Sequence, residues 1–145
     1  MRRIFQNWTY DIPIFLREHG EGRITQAALD YYAHEPTDKY WFVGAFEDYD
    51  PAIVSVSLAA LVDGEVKYGV TVTHKDHRQK LYGSTLLKAK VRLMRADGIH
   101  YRTIVAEDNE ASKRMCSKAA LIITGEETRI RKRGEYRALV FEGKK

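Results

Sequence analysis

Apolar positions recur at helical spacing in the first third of the chain and alternate at strand spacing from about residue 40 onward. After a short strand around Arg3–Gln6, the run Tyr10–His19 predicts a helix, with the Asp11-Ile12-Pro13 step near its start, where proline is tolerated. Gly20-Glu21-Gly22 ends it. Thr25 caps a second helix that runs to about His34, and Pro36 stops that one. Trp41–Phe46 reads as a strand and Glu47–Pro51 as a polar turn. In Ile53–Leu61, Val54, Val56, Leu58 and Ala60 alternate with Ile53, Ser55, Ser57 and Ala59. Asp63-Gly64 is then a two-residue hairpin signal leading into Val66–Thr73. Gly69 interrupts that strand, as glycine does at a bulge or a close backbone approach.

His74–Leu81 has no periodicity. Tyr82–Asp97 reads as an amphipathic helix, with Leu87, Val91 and Met94 on one face and Lys88, Arg92 and Arg95 on the other, and Gly98 is its natural C-cap. Tyr101–Ala106 is the next strand. Asn109 caps a helix to about Ala119, and Leu121–Arg131 and Tyr136–Phe141 form a last hairpin across a turn at Gly134. The order is therefore strand, two helices, three strands, helix, strand, helix, two strands. The fold class is α/β in the α+β sense: a central sheet of six to seven strands flanked by about four helices. The strand–helix–strand crossover in its middle implies a parallel pair within an otherwise mostly antiparallel sheet. A single domain spanning residues 1–145 is expected from the length.

The chemistry concentrates where the strand Val66–Thr73 passes through a basic loop into a helix whose first turn holds Gly83, Ser84 and Thr85. Helix N-termini expose unpaired N–H groups and a partial positive charge, which suits a phosphate or pyrophosphate. Glycine lets the backbone approach, while Arg78 and Lys80 add charge. A capped amphipathic helix with no ligand would carry the same residues.

This segment resembles the pyrophosphate loop of the GNAT (Gcn5-related N-acetyltransferase) superfamily, Arg/Gln-x-x-Gly-x-Gly/Ala, as Arg78-Gln79-Lys80-Leu81-Tyr82-Gly83 after Thr73-His74. A second block of that superfamily, Asn-x-x-Ala-x-x-x-Tyr-x-Lys-x-Gly-Phe, is similar to Asn109-Glu110-Ala111 through Cys116-Ser117-Lys118-Ala119-Ala120-Leu121. The spacing and element order agree from Trp41 to Phe141. The resemblance implies an acyltransferase that moves acetyl from acetyl-CoA directly to a primary amine of a small molecule or protein. The strands Val66–Thr73 and Tyr101–Ala106 would be the parallel pair, splayed to admit the pantetheine arm. Thr71 and Thr73 would pair with its amides through their backbone, and Gly69 would supply the bulge that parts the strands. Arg78, Gln79, Lys80, Leu81, Tyr82, Gly83 and Ser84 would hold the pyrophosphate, with Asn109 and Ser112 completing the cofactor-binding set.

Three positions depart from the pattern. Leu81 stands where the first loop glycine is usual, so a reshaped loop is expected. Ala120-Leu121 replaces Gly-Phe. Cys116 stands where a tyrosine often protonates the leaving thiolate. Cys116 reads either as that proton donor or as a small buried hydrophobe. Glu107 is the candidate base, with Asp108 beside it; both equally suit the N-terminus of the Asn109 helix. These departures leave open a second possibility, a non-catalytic protein of the same fold acting as a binding or structural component of a larger assembly.

Composition narrows the classes. Apolar residues make up 44 % and charged residues 30 %, enough for one core and a wet surface. No run of about 18 apolar residues occurs, so no membrane span is expected. Met1-Arg2-Arg3-Ile4-Phe5 is basic but leads into polar Gln6-Asn7, without the apolar centre of a signal peptide, and the cytoplasm is the default compartment. The single cysteine excludes an internal disulfide. His74 and His77 lack further ligands around them, so no metal site is expected. The net charge of +4 owes much to Arg129, Arg131, Lys132, Arg133 and Arg137. They form a solvated face or a grip for an anionic acceptor, together with the loop Gly20–Arg23, whereas the acidic turn Glu47–Asp50 would attract a cationic one. Neither a recognition helix nor an RNA-binding aromatic motif accompanies the basic hairpin. A homodimer is compatible with the sequence but not specified by it.

Overall fold

The computed structural model describes residues 2–20, 22, 24–78 and 80–143. These form two compact units, Met1–Lys90 and Val91–Lys145.

The first unit contains strand β1 (Arg2–Phe5), helices α1 (Asp11–Gly20) and α2 (Gln26–Tyr31), strands β2 (Lys39–Glu47), β3 (Ile53–Val62) and β4 (Glu65–Thr73), and most of helix α3 (Tyr82–Ala96). Its four strands follow one another as an antiparallel meander, β1-β2-β3-β4. Ile12, Phe15 and Leu16 lie at i, i+3 and i+4 on α1 and are buried with Ala28 and Tyr32 against Phe42, Val56, Leu58, Val70 and Val72 of the sheet. Each large side chain in this layer stabilises the fold by about 1.5–3 kcal/mol. β3 is buried on both faces for most of its length, including the face of small residues. There Ser55 and Ser57, fully buried, pair with Thr73 Oγ1 (2.9 Å) and Thr71 Oγ1 (2.8 Å) across the ladder. The second helix is shorter than its apolar pattern predicts. Its C-cap is Tyr32, whose hydroxyl is drawn inward to the Tyr68 carbonyl.

The second unit takes the rest of α3, then strand β5 (Arg102–Ala106), helix α4 (Glu110–Lys118) and strands β6 (Ile122–Arg131) and β7 (Gly134–Glu142). Its sheet order is β5-β7-β6, with β7 central. Every strand pairing among the described residues is antiparallel, and the parallel pairing expected of β4 with β5 is not among them. The seven strands thus form two ladders.

Both helices of the α3–α4 pair end in the same way. After α3, Ile99 N–H bonds Met94 O (2.9 Å) and Gly98 N–H bonds Arg95 O (2.9 Å), with Gly98 at φ +76°. After α4, Leu121 N–H bonds Cys116 O (3.1 Å) and Ala120 N–H bonds Ser117 O (3.1 Å), with Ala120 at φ +65°. The two hydrogen bonds from the residues past the cap define a Schellman turn, which favours glycine at its left-handed position.

Candidate functional site

The strand β4 lies at the edge of its sheet. His74 N–H donates to Val54 O at 2.8 Å, which fixes the alternation: residues 54 and 74, 56 and 72, 58 and 70 are the hydrogen-bonded pairs. The main-chain N–H and C=O groups of Thr71 and Thr73 therefore point away from β3. Consistent with this, the Thr73 carbonyl accepts from Arg78 Nε at 3.4 Å, while the Val72 carbonyl faces Ser55 Oγ at 3.1 Å. The threonine hydroxyls are engaged by the β3 serines, so the outward edge offers backbone only.

Two residues upstream the ladder slips. Tyr68 and Gly69 together oppose Ala59, a β-bulge. Glycine is not the residue that takes the left-handed conformation; Tyr68 is, at φ +55°. Its ring stacks on Tyr31 (4.5 Å between centroids, 22°), and its carbonyl accepts from Tyr32 Oη at 2.7 Å. These contacts hold the left-handed residue of the bulge at Tyr68, next to Gly69.

Past β4, a 3-10 turn at Lys75–His77 leads to Leu81, which adopts φ +64° with its side chain half exposed. Its carbonyl accepts from Thr85 N–H (3.1 Å) and Ser84 Oγ (3.2 Å), so Leu81 starts α3. The N–H groups of Tyr82, Gly83 and Ser84 belong to the first helical turn, where no intrahelical acceptor exists. Leu81 thus has the backbone that glycine would give at this loop position, with its side chain turned outward. Gln79 lies outside the described residues, as do Glu21 and Arg23 of the Gly20–Arg23 segment.

Glu47, at the end of β2, braces this loop from both sides. Its carboxylate is 3.1 Å from His77 Nδ1 and 3.8 Å from Lys80 Nζ, and it accepts from the hydroxyl of buried Tyr82. The Tyr82 hydrogen bond, then Lys80 and His77, hold its carboxyl below the ordinary carboxylate range against some desolvation. His74 stands beside His77 (5.4 Å between rings) and against His19 (4.3 Å).

The second unit holds the other candidates. Asn109 Oδ1 accepts from Ser112 N–H at 3.2 Å, so both residues build the N-cap of α4. Cys116 is buried at 2 % exposure. Near it is Tyr101, whose phenol is pushed up to about 12, first by burial and then by the charge a Cys116 thiolate would carry, with Thr103 acting the other way. Glu107 Oε1 is 3.6 Å from Arg137 Nη1, and Arg137 also pairs with Glu126. Asp108 pairs with Arg131 at 3.4 Å, and Arg131 lies over the Tyr136 ring at 4.4 Å. Asp108, Arg131, Lys132 and Arg133 line a surface hollow of about 400 Å³. Among the described residues no group of three or more His, Cys, Asp or Glu side chains is placed to hold a metal ion, and no helix is long and apolar enough to cross a membrane.

The profile of the acetyltransferase (GNAT) family matches residues 5–120. The chain belongs to that family. This acetyltransferase also shares its fold with solved structures at low identity. The ribosomal-protein-S18-alanine N-acetyltransferase of Escherichia coli is 13 % identical, with a TM-score of 0.73 over 99 % of this chain and 93 % of that one. The yncA protein of Salmonella typhimurium, solved with its cofactor acetyl-CoA, is 15 % identical, with a TM-score of 0.74 over 97 % and 92 %. NAA60 of Arabidopsis thaliana, in complex with a bisubstrate analogue, is 11 % identical, with a TM-score of 0.70 over 98 % and 97 %. No curated protein is similar enough in sequence to match. Acetyl-CoA is the co-substrate of the acetyltransferase.

In the acetyltransferase, Thr71, Thr73, Arg78, Lys80, Leu81, Tyr82, Gly83 and Ser84 fall together in the first unit, along one edge strand and the helix that follows. Cys116, Glu107, Asn109 and Ser112 fall in the second. Sequence reasoning missed Glu47, which acts across 30 residues of chain to reach His77 and so leaves no local pattern. It missed Tyr101 as the neighbour of Cys116; the bulge it expected at Gly69 is there, and the left-handed residue in it is Tyr68.

Proposed function

We propose that the protein transfers acetyl from acetyl-CoA directly to a primary amine of a small molecule or a protein, and that its two units act as one catalytic domain, as a family profile running through both supports. One observation carries this. The β4 edge, which pairs with no further strand among the described residues, offers the main-chain groups of Thr71 and the N–H of Thr73, and a basic loop leads from it to a helix whose first turn presents the Gly83 and Ser84 N–H groups behind a left-handed Leu81. The amides of a pantetheine arm add to such an edge as a short strand does, and a pyrophosphate suits such a turn. Arg78 and Lys80 add positive charge beside it.

In the chemistry, the amine nitrogen attacks the thioester carbonyl, the C–S bond breaks, and the amine loses the proton that the departing thiolate gains. Cys116 is the candidate donor and Glu107 the candidate acceptor of that proton. Their surroundings set the test: Cys116 is buried, and Glu107 lies 3.6 Å from Arg137. Cys116→Ala is expected to lower kcat at least tenfold with little change in acetyl-CoA affinity, and unchanged turnover removes Cys116 from the chemistry. Glu107→Gln tests the base in the same assay.

The acceptor class follows the basic hairpin. The hollow around Arg131, Lys132 and Arg133 favours an amine that also carries a carboxylate or phosphate, or an acidic peptide. That one solved relative acts on the alanine of a ribosomal protein supports a protein acceptor. The acidic turn supports a cationic acceptor less, because Glu47 is occupied by its own loop. A cytoplasmic enzyme fits this use of acetyl-CoA. The deciding experiment is calorimetry with acetyl-CoA, followed by thiol release with a panel of amines and peptides. No binding and no thiol release would overturn the proposal.

A further inference from the structure

Two buried polar side chains outside the loop and the proton-transfer candidates spend their polar atoms on the β4 bulge. Tyr32 is completely buried on the α2 side, and its hydroxyl donates to the carbonyl of Tyr68, the left-handed residue of the bulge, at 2.7 Å. Lys90 of α3 is 1 % exposed, and its Nζ donates to the carbonyl of Leu58 at 3.1 Å. Leu58 is the last β3 residue in register with β4 before the slip. Burying an ammonium and a phenol is unfavourable unless each finds a partner. Here one partner of each is a main-chain oxygen at or beside the same irregularity. A tyrosine at φ +55° is also strained, and such strain persists only where neighbours enforce it.

We infer that Tyr32 and Lys90 are positioning residues that clamp the β3–β4 bulge from two helices and thereby hold the outward edge at Thr71 and Thr73 in line for the co-substrate. The inference rests on the proposal that this edge binds acetyl-CoA. Neither residue touches the reacting atoms. Each acts through the path of the β4 strand.

The test uses the full-length protein with Tyr32→Phe and Lys90→Met, which keep the packed volume and delete the bond. Each is expected to raise the acetyl-CoA dissociation constant and KM about fivefold, as loss of one buried hydrogen bond allows, with kcat within about twofold. Amide hydrogen exchange is expected to quicken at Val70 and Val72 and not in β1–β2 pairs. Leu16→Ala, a variant of the same core that removes packing and no hydrogen bond, serves as the stability control. Variants that bind acetyl-CoA like the parent, or exchange changes spread evenly over the sheet as in Leu16→Ala, overturn the clamp. If Lys90→Met fails to fold, Tyr32→Phe with the exchange measurement decides alone. A parent protein that does not bind acetyl-CoA overturns the proposed function and the clamp with it, whereas binding by the parent with unchanged variants overturns the clamp only.

Discussion

Leu81 and Ala120 share one backbone conformation, φ +64° and +65°, although one opens a helix and the other closes one. Both stand where the acetyltransferase family pattern has glycine. The substitutions have changed the side chain and left the main chain in the shape glycine favours. The strain of a left-handed L-residue, about 1–2 kcal/mol, is therefore retained at each.

Restoring glycine should release part of it. Ala120→Gly and Leu81→Gly are each expected to raise stability by about 0.5–1 kcal/mol, the remainder being offset by the greater freedom of glycine in the unfolded chain. The gain is a rise in Tm of about 2–4 °C in calorimetric scans. The reverse change at the matching turn of α3, Gly98→Ala, is expected to lower Tm by a similar amount. Leu81→Gly should additionally tighten acetyl-CoA binding, because the side chain is removed from the loop.

Gly44 is needed for space, not for backbone freedom. A Cβ there would lie 2.6 Å from Phe5 Cζ and 2.8 Å from Phe42 Cζ, between two rings that already meet edge-on at 5.3 Å. Gly44→Ala is expected to destabilise the protein by about 1–3 kcal/mol in urea melts, since the Phe5 and Phe42 rings must shift to admit the Cβ.

The hydroxyl pair Ser57–Thr71 gives a test of which part of β4 binds ligand. Thr71→Val strands the buried Ser57 hydroxyl and is expected to cost about 1–3 kcal/mol of stability. Acetyl-CoA affinity should stay within about twofold once the protein is folded, because the outward groups at residue 71 are main chain. The double change Ser57→Ala with Thr71→Val should recover most of the stability, since both partners are then removed together. A large affinity loss at intact stability would assign the threonine side chain to the ligand instead.

Most elements were legible from periodicity and turn chemistry: the Asp63-Gly64 hairpin, the amphipathic face of Leu87, Val91 and Met94, and the Asn109 cap all form as their residues predict. The missed features are those made by pairing distant residues. Gly69 was the visible irregularity in β4, but the ring of Tyr31 and the hydroxyl of Tyr32 draw the left-handed turn to Tyr68. Leu81 and Ala120 were visible as departures, and only coordinates reveal that the backbone ignores them. The helix between two strands implied a parallel ladder, and that pairing is not among the ladders described, all of which are antiparallel.

Stability should also respond to mild acid through His19. Burial, then the charge of His74, lowers its pKa below the ordinary 6.5, with Arg78 and Lys75 acting the same way and Glu18 opposing. The ring of Phe15 lies 4.8 Å away. The folded chain therefore binds fewer protons at this site than the unfolded chain once the pH falls below 6.5. The stabilising contribution is full above that value and lost as pH falls through the lowered one. Melting temperatures at pH 7.5 and 5.5 should fall more in the parent than in His19→Gln, and parallel declines would contradict the assignment.

The two serine–threonine pairs between β3 and β4 have a consequence for misfolding. A border strand can slide along its neighbour during refolding and still satisfy its amides. Shifted by one residue, β4 would set Val70 and Val72 against Ser57 and Ser55 and send the threonines to the greasy side, stranding two hydroxyls in the interior at once. The polar rungs therefore act as a ratchet against slippage, and a chain lacking both serines should refold to a mixture of alignments even where its native contacts are equally strong.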